Sequence, residues 1–215
     1  MTLIVSTWVW GTKYGPEYVD RLRAGVARHL KQTYRFEIFT PDPRDDALTA
    51  IPGCLCRLRL FDPEWQGEHG IAPGDRLVSL DLDLVVTGEL DPLFGRDEDF
   101  VILQGANASN PCPYNGSVFM LRAGAHPEVW ADFSIPTIRA LPFYAFPDDQ
   151  GWFAHKIPDA GVWMAGPSSG IYAFKKPGWP GGDDLPRGAR IVAFPGKRDP
   201  SQFQHLGWMK EHWQG

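Results

Sequence analysis

At 215 residues the chain fits one domain with a full core around a central sheet and is too short for two independent ones. Its 43% hydrophobic and 22% charged residues exclude disorder. A formal net charge of −5, with no Lys/Arg block of five residues, speaks against nucleic acid as a partner. No stretch approaches 18 consecutive apolar residues, so neither export nor a transmembrane segment is expected. Cys54, Cys56 and Cys112 fit neither a disulfide framework nor a zinc ribbon and read as reduced thiols of a cytoplasmic protein.

In chain order, the β-branched run Leu3 to Val9 reads as a buried first strand stopped by Gly11. Glu17 to Lys31 repeats apolar residues every three or four positions behind Pro16, which suits a first helical turn. Phe36 to Thr40 is a second strand halted by Pro41-Asp42-Pro43, and strand, helix, strand opens a parallel α/β sheet. Asp45 to Gly53 is loop or short helix, Cys56 to Phe61 a short strand, and Gly67 to Gly74 a connection. Arg76 to Val86 is the strongest strand signal, followed by strands at Phe100 to Gln104 and Ser117 to Arg122. Helical pieces are expected over Pro127 to Phe133 and Asp148 to His155. Gly and Pro then dominate from Gly161 to Gly188, and Arg190 to Phe194 is a last strand.

Within the strongest strand, Leu80-Asp81-Leu82-Asp83-Leu84 alternates. An extended chain sends Asp81 and Asp83 to one face and the leucines to the other. Two carboxylates that close raise each other's pKa unless a cation sits by them. Oxygen ligands suit Mg²⁺ or Mn²⁺, ions that commonly finish their shell with substrate phosphates. A solvated acidic pair at a strand end is the plainer alternative. Against it stands the position of the pair at the end of the most apolar strand, where open α/β sheets hold ligands.

The block Leu77-Val78-Ser79-Leu80-Asp81-Leu82-Asp83-Leu84-Val85-Val86-Thr87-Gly88-Glu89-Leu90-Asp91-Pro92-Leu93-Phe94 resembles the signature of glycosyltransferase family 8 and its GT-A relatives. Tyr114 to Leu121, with Asn115-Gly116 contracted by one residue, is similar to the strand that lies beside the donor sugar in that family. Phe146-Pro147-Asp148-Asp149-Gln150 is similar to its Asp-Gln segment, and the first strand with Thr7 to the segment that holds base and ribose. Close similarity is confined to residues 77–94. In one departure, Ala193 of Ile191-Val192-Ala193-Phe194-Pro195-Gly196-Lys197 stands where the family carries a metal-binding His; His205 lies 12 residues on.

The resemblance implies an α/β fold of GT-A (Rossmann-like) type, a mixed, mostly parallel central sheet flanked by helices. The nucleotide part would cover about residues 1–95 and the acceptor and sugar part about 96–215. It implies a metal-dependent, retaining transfer from a nucleotide-sugar donor, UDP-sugar favoured, to a glycan or lipid-linked acceptor. Asp81 and Asp83 would hold Mn²⁺ or Mg²⁺, while Asp149 and Gln150 would act beside the reacting sugar. Donor contacts are assigned to Thr7, Trp8, Lys13, Tyr14, Asn107, Asn115, Gly116, Gly196 and Lys197. Trp8 and Trp10 offer a stacking surface or core packing. The run Trp208 to Trp213 suits a peripheral lipid contact, a cover for the acceptor site, or a docked tail. Two rivals remain: a sugar nucleotidyltransferase, which should carry a Gly-rich loop after the first strand where only Gly11 stands, and a degenerate binder that holds nucleotide or glycan without turning it over.

Overall fold

The computed structural model describes residues 1–105, 111–141 and 148–215. Its framework is a six-stranded sheet in the order β2-β1-β3-β6-β5-β7, formed by β1 Leu3–Trp8, β2 Tyr34–Phe39, β3 Arg76–Leu80, β5 Phe100–Gln104, β6 Tyr114–Arg122 and β7 Gly161–Trp163. Only β6 runs against its neighbours, pairing antiparallel with β3 and β5 while the other pairs are parallel. The sheet is thus mixed and mostly parallel, as expected. A second sheet of β4 Leu84–Val86, β8 Ile171–Ala173 and β9 Ile191–Ala193, in the order β4-β9-β8, packs on one face.

Strand alternation splits the core in two. Leu3, Val5, Val78, Leu80, Val101, Leu103, Val118 and Met120 face one side with the second sheet and helix α1, Pro16–His29. Ile4, Leu77, Phe100, Ile102, Phe119 and Leu121 face the other. On α1 the stripe Tyr18, Val19, Leu22 and Val26 is the buried one, which is why the three-and-four spacing was readable. The opposite core is covered by short helices: α2 Asp46–Thr49, α3 Pro63–Glu68, α5 Glu128–Ala131, α6 Ile135–Arg139 and α7 Asp149–Lys156. Between β4 and β5 lies the single turn α4, Asp91–Phe94.

Two strand expectations fail. Leu55–Phe61 is a 3-10 helix, entered from Gly53 and Cys54, both at positive φ (119° and 56°). All of its residues except Arg59 are buried, so the alternation of apolar residues with Arg57 and Arg59 marks no solvent face. Both arginines find carboxylates inside: Arg59 pairs with Asp45 and Asp62, and Arg57 with Asp81 and Asp149. The long strand expected over Arg76 to Val86 breaks at Asp81. β3 ends at Leu80, a turn follows, and β4 joins the other sheet by pairing with β9. Both pieces are buried throughout, and a continuous apolar run carries no sign of the break.

The C-terminal run forms α8, Gly207–His212, with Trp208, Met209 and Trp213 turned into the core. Trp213 meets the edge of Tyr18 and lies under the Arg21 guanidinium at 3.9 Å, while Arg28 donates to the His212 carbonyl at 2.6 Å. The tail is docked, with its large apolar side chains buried in the core. Among the described residues no helix is long and apolar enough to cross a membrane.

Candidate active site

A cleft of about 450 Å³ opens where β1, β3 and β5 end and β6 begins. In an open α/β sheet this crevice beyond the carboxyl ends of the strands is where ligands bind. Asp81, Leu82 and Asp83 all line it, because the chain turns as it leaves one sheet for the other. The two carboxylates therefore share a cleft through a turn, not through one face of a strand.

Each carboxylate has its own support. The Tyr14 hydroxyl donates to Asp83 Oδ2 at 2.7 Å, and Lys13 Nζ donates to that hydroxyl. Arg57 Nη1 donates to Asp81 Oδ1 at 2.6 Å and to the Gly116 carbonyl at 2.8 Å, while its Nη2 sits 2.5 Å from Asp149 Oδ2. Arg57, 3% exposed, is thus a buried fork joining three segments. Burial works against its charge, but Asp149 and Asp81 outweigh that, so the guanidinium is held above its ordinary pKa. Burial pushes Asp149 up to about 7 against the pull of Arg57. Asp83 is pushed up to about 7, first by burial and then by the charge of Asp81.

Arg57 was not anticipated. Its signal in the sequence was an arginine inside an otherwise apolar run, Leu55-Cys56-Arg57-Leu58, and the partners lie far along the chain.

Trp8 is buried, stacked on Trp65 and tilted against Phe39, and still forms part of the cleft wall; Trp10 is half-buried beside it. Thr7 is fully buried, donating to the Leu80 carbonyl at 2.8 Å, and is not on the wall. Asn115 lines the cleft and turns its side-chain carbonyl to the Ser117 amide. Gln150 lines it with its amide held both ways, accepting from the Gly116 N–H and donating to Asp148. Asp149 stands one layer behind, against Arg57. Gly196 is on the rim, whereas Lys197 and His205 are exposed and not on the wall. Ala193 is buried in β9 opposite Leu84. Asn107 lies outside the described residues.

Gly116 is fixed by this packing. A Cβ there would meet Arg57 Nη2 at 2.7 Å and the Asp149 carboxylate at 3.2 and 3.4 Å. Gly116→Ala should therefore displace the buried ion pair and cost about 1–3 kcal/mol. Urea denaturation checks this; a loss below a few tenths would show that the pair can shift freely.

Asp83 is a half-buried carboxylate whose neighbours are another carboxylate, a tyrosine hydroxyl and a lysine at second remove, an environment short of positive charge. Asp81 and Asp83 fit a hard ion that completes its shell with phosphate oxygens and water. Among the described residues no group of three or more His, Cys, Asp or Glu is placed to hold a metal ion.

No family model matches the chain, and no curated protein matches it in sequence. Solved structures do match. The apo form of the glycosyltransferase GlyE of Streptococcus pneumoniae TIGR4 superposes with a TM-score of 0.63 at 12% identity over 98% of this chain, which spans 63% of the GlyE chain. A glycosyltransferase involved in glycosylation of the major capsid of PBCV-1 gives 0.58 at 13% identity, over 98% of this chain and 100% of that one. The galactosyltransferase LgtC, solved with donor and acceptor sugar analogues, gives 0.57 at 13% identity, over 100% and 97%. At such identities the likeness is one of fold: the chain has the GT-A fold of these glycosyltransferases.

Proposed function

We propose that the protein is a glycosyltransferase that moves a sugar from a nucleoside-diphosphate donor to a glycan, lipid-linked or other acceptor, with a divalent cation, Mn²⁺ or Mg²⁺, held at Asp81 and Asp83. The observation that carries this reading is the pair of carboxylates at the mouth of a cleft beyond the sheet's carboxyl ends, in a chain with a glycosyltransferase fold. The resemblance of residues 77–94 to glycosyltransferase family 8 supports UDP as the carrier and retention at the anomeric carbon.

Breaking the bond between the anomeric carbon and the diphosphate puts negative charge on the leaving oxygen and positive character on the sugar. A divalent cation, when bound, supplies positive charge to the diphosphate oxygens. Tyr14 and Arg57 hold the two carboxylates in place before donor arrives, so little reorganisation is needed. Lys13, beside the Tyr14 hydroxyl on the cleft wall, would meet a phosphate oxygen, and the exposed Lys197 next to Gly196 is a second candidate. Trp8, Trp10 and the Tyr14 side of the cleft suit a planar base, with residues up to about 95 forming most of that part. Gln150 and Asn115 are on the wall where the sugar would lie, and Asp149 orients that wall through Arg57 and Gly116.

Ala193 in place of the family's histidine supports a second reading, in which the cleft binds nucleotide without turnover. Donor hydrolysis, followed by phosphate-coupled nucleotide detection with and without Mn²⁺, separates the two. Mn²⁺-dependent release of UDP from UDP-sugar is expected. Tight UDP binding with no release under any metal would select the second reading.

A further inference from the structure

We infer that the donor sugar this cleft accepts is uncharged, and that donors of the uronic acid class are excluded. This rests on the nucleotide-sugar reading above and assigns the chemistry of its sugar end.

The contacts give the cleft a direction. From Lys13 and Tyr14 the chain of partners runs to Asp83, then past Asp81 to Arg57, and on to Gly116, Asp149 and Gln150. With the diphosphate at Asp81 and Asp83, the aromatic end at Trp8, Trp10 and Tyr14 takes the base. The sugar is left the end walled by Cys54, Cys112, Asn115, Arg57 and Gln150.

That end has no cation to offer a sugar carboxylate. Arg57 is the one Lys, Arg or His among its described lining residues, and its terminal nitrogens are engaged by Asp81, the Gly116 carbonyl and Asp149. The two segments outside the described residues, 106–110 and 142–147, contain no Lys, Arg or His in sequence. Carboxylates, by contrast, are in excess: Asp149 pairs with Arg57, and Asp148 stands behind the Gln150 amide, 2.9 Å from it. Cys54 and Cys112 add thiols, which are weak hydrogen-bond partners and suit the C–H face of a neutral ring.

A uronate would bring a second like charge toward these carboxylates with no counter-ion, and at protein-like dielectric such an approach costs on the order of 30-fold to 100-fold in affinity. The test compares stereochemically matched pairs, UDP-glucose with UDP-glucuronate and UDP-galactose with UDP-galacturonate, by calorimetric titration in Mn²⁺. In each pair the neutral donor should bind at least about 30-fold tighter. UDP, GDP and dTDP are titrated alone beside them, and another carrier's matched pair is used if that carrier is the one that binds. No binding of any nucleoside diphosphate would remove the proposed function, and the inference with it. Binding of the diphosphate together with uronate affinity within threefold of the neutral sugar would overturn the inference alone. Asp148→Asn keeps the side-chain oxygen that caps α7 by accepting from the Gly151 N–H. It should narrow the discrimination by about tenfold without changing UDP affinity. An unchanged ratio would overturn the electrostatic assignment in favour of a steric one.

Discussion

In Asp83→Asn the ligand-free protein should melt at a higher temperature than wild type at pH 7.5, while losing the stabilisation that UDP and Mn²⁺ give together. The first half follows from the folded-state pKa of Asp83, pushed up to about 7 by burial and by Asp81. The native state then binds a proton more readily than the unfolded chain, so wild-type stability falls as pH rises from about 4 through about 7. Above that window the native protein holds a poorly compensated carboxylate. Asparagine keeps an acceptor for the Tyr14 hydroxyl and removes the charge, for a gain on the order of 2 kcal/mol. At pH 4.5, where wild-type Asp83 is protonated in the folded state and the loss has only begun, the gap between the two proteins should be much smaller. The histidines His29 and His212, held below their ordinary pKa by burial, slope the opposite way in both proteins and cancel in the difference.

The second half is a loss. An amide is a poor ligand for a hard cation, so saturating UDP with Mn²⁺, worth about 2.7 kcal/mol at 100 times Kd, should no longer raise the melting temperature. Thermal scans of both proteins at pH 4.5 and 7.5, with and without UDP and Mn²⁺, check the two halves together. Equal melting at pH 7.5 would mean that Asp83 is compensated in the free protein; a retained UDP and Mn²⁺ shift would place the cation elsewhere.

Arg57→Met carries the second large effect, in the destabilising direction. It leaves Asp149 buried without its counter-ion and Asp81 without its anchor, and breaking a buried pair from one side costs about 3–5 kcal/mol. For a chain of this size the melting temperature should drop on the order of 10 °C. Arg57→Met combined with Asp149→Leu should recover much of that loss, because a buried pair replaced on both sides is often neutral. Arg57→Lys should not, since one ammonium cannot repeat the fork that reaches both carboxylates. A fall below 1 kcal/mol in Arg57→Met, measured by urea denaturation, would show that water or relaxation compensates Asp149.

What the sequence revealed and hid follows from the range of the interactions. The first strand, α1 and α7 were legible because local spacing decides them: one apolar stripe on α1, a cap at Asp148 that accepts from Gly151. Strands β7 and β8 were hidden in a Gly- and Pro-rich stretch, each only three residues long. The 3-10 helix reads as a short strand in sequence because nothing local marks its arginines as buried; their carboxylate partners lie elsewhere along the chain. Asp81 and Asp83 both line the cleft, but a turn at Leu82 and Asp83 brings them there in place of the strand alternation expected from the sequence. The loop residues Lys13 and Tyr14, read from their position after the first strand, line the cleft, whereas Lys197 is exposed and not on its wall.

The buried fork at Arg57 also bears on how the molecule folds. Its bonds to Asp81 and Gly116 span 24 and 59 residues, and the bond from Tyr14 to Asp83 spans 69. The two longer contacts close larger loops than the β1-β2 pairing does and are expected to form after the local helices and that unit have condensed. A cleft built on these contacts is expected to form late, so a fluorescent nucleotide added during refolding should register after far-ultraviolet circular dichroism has recovered.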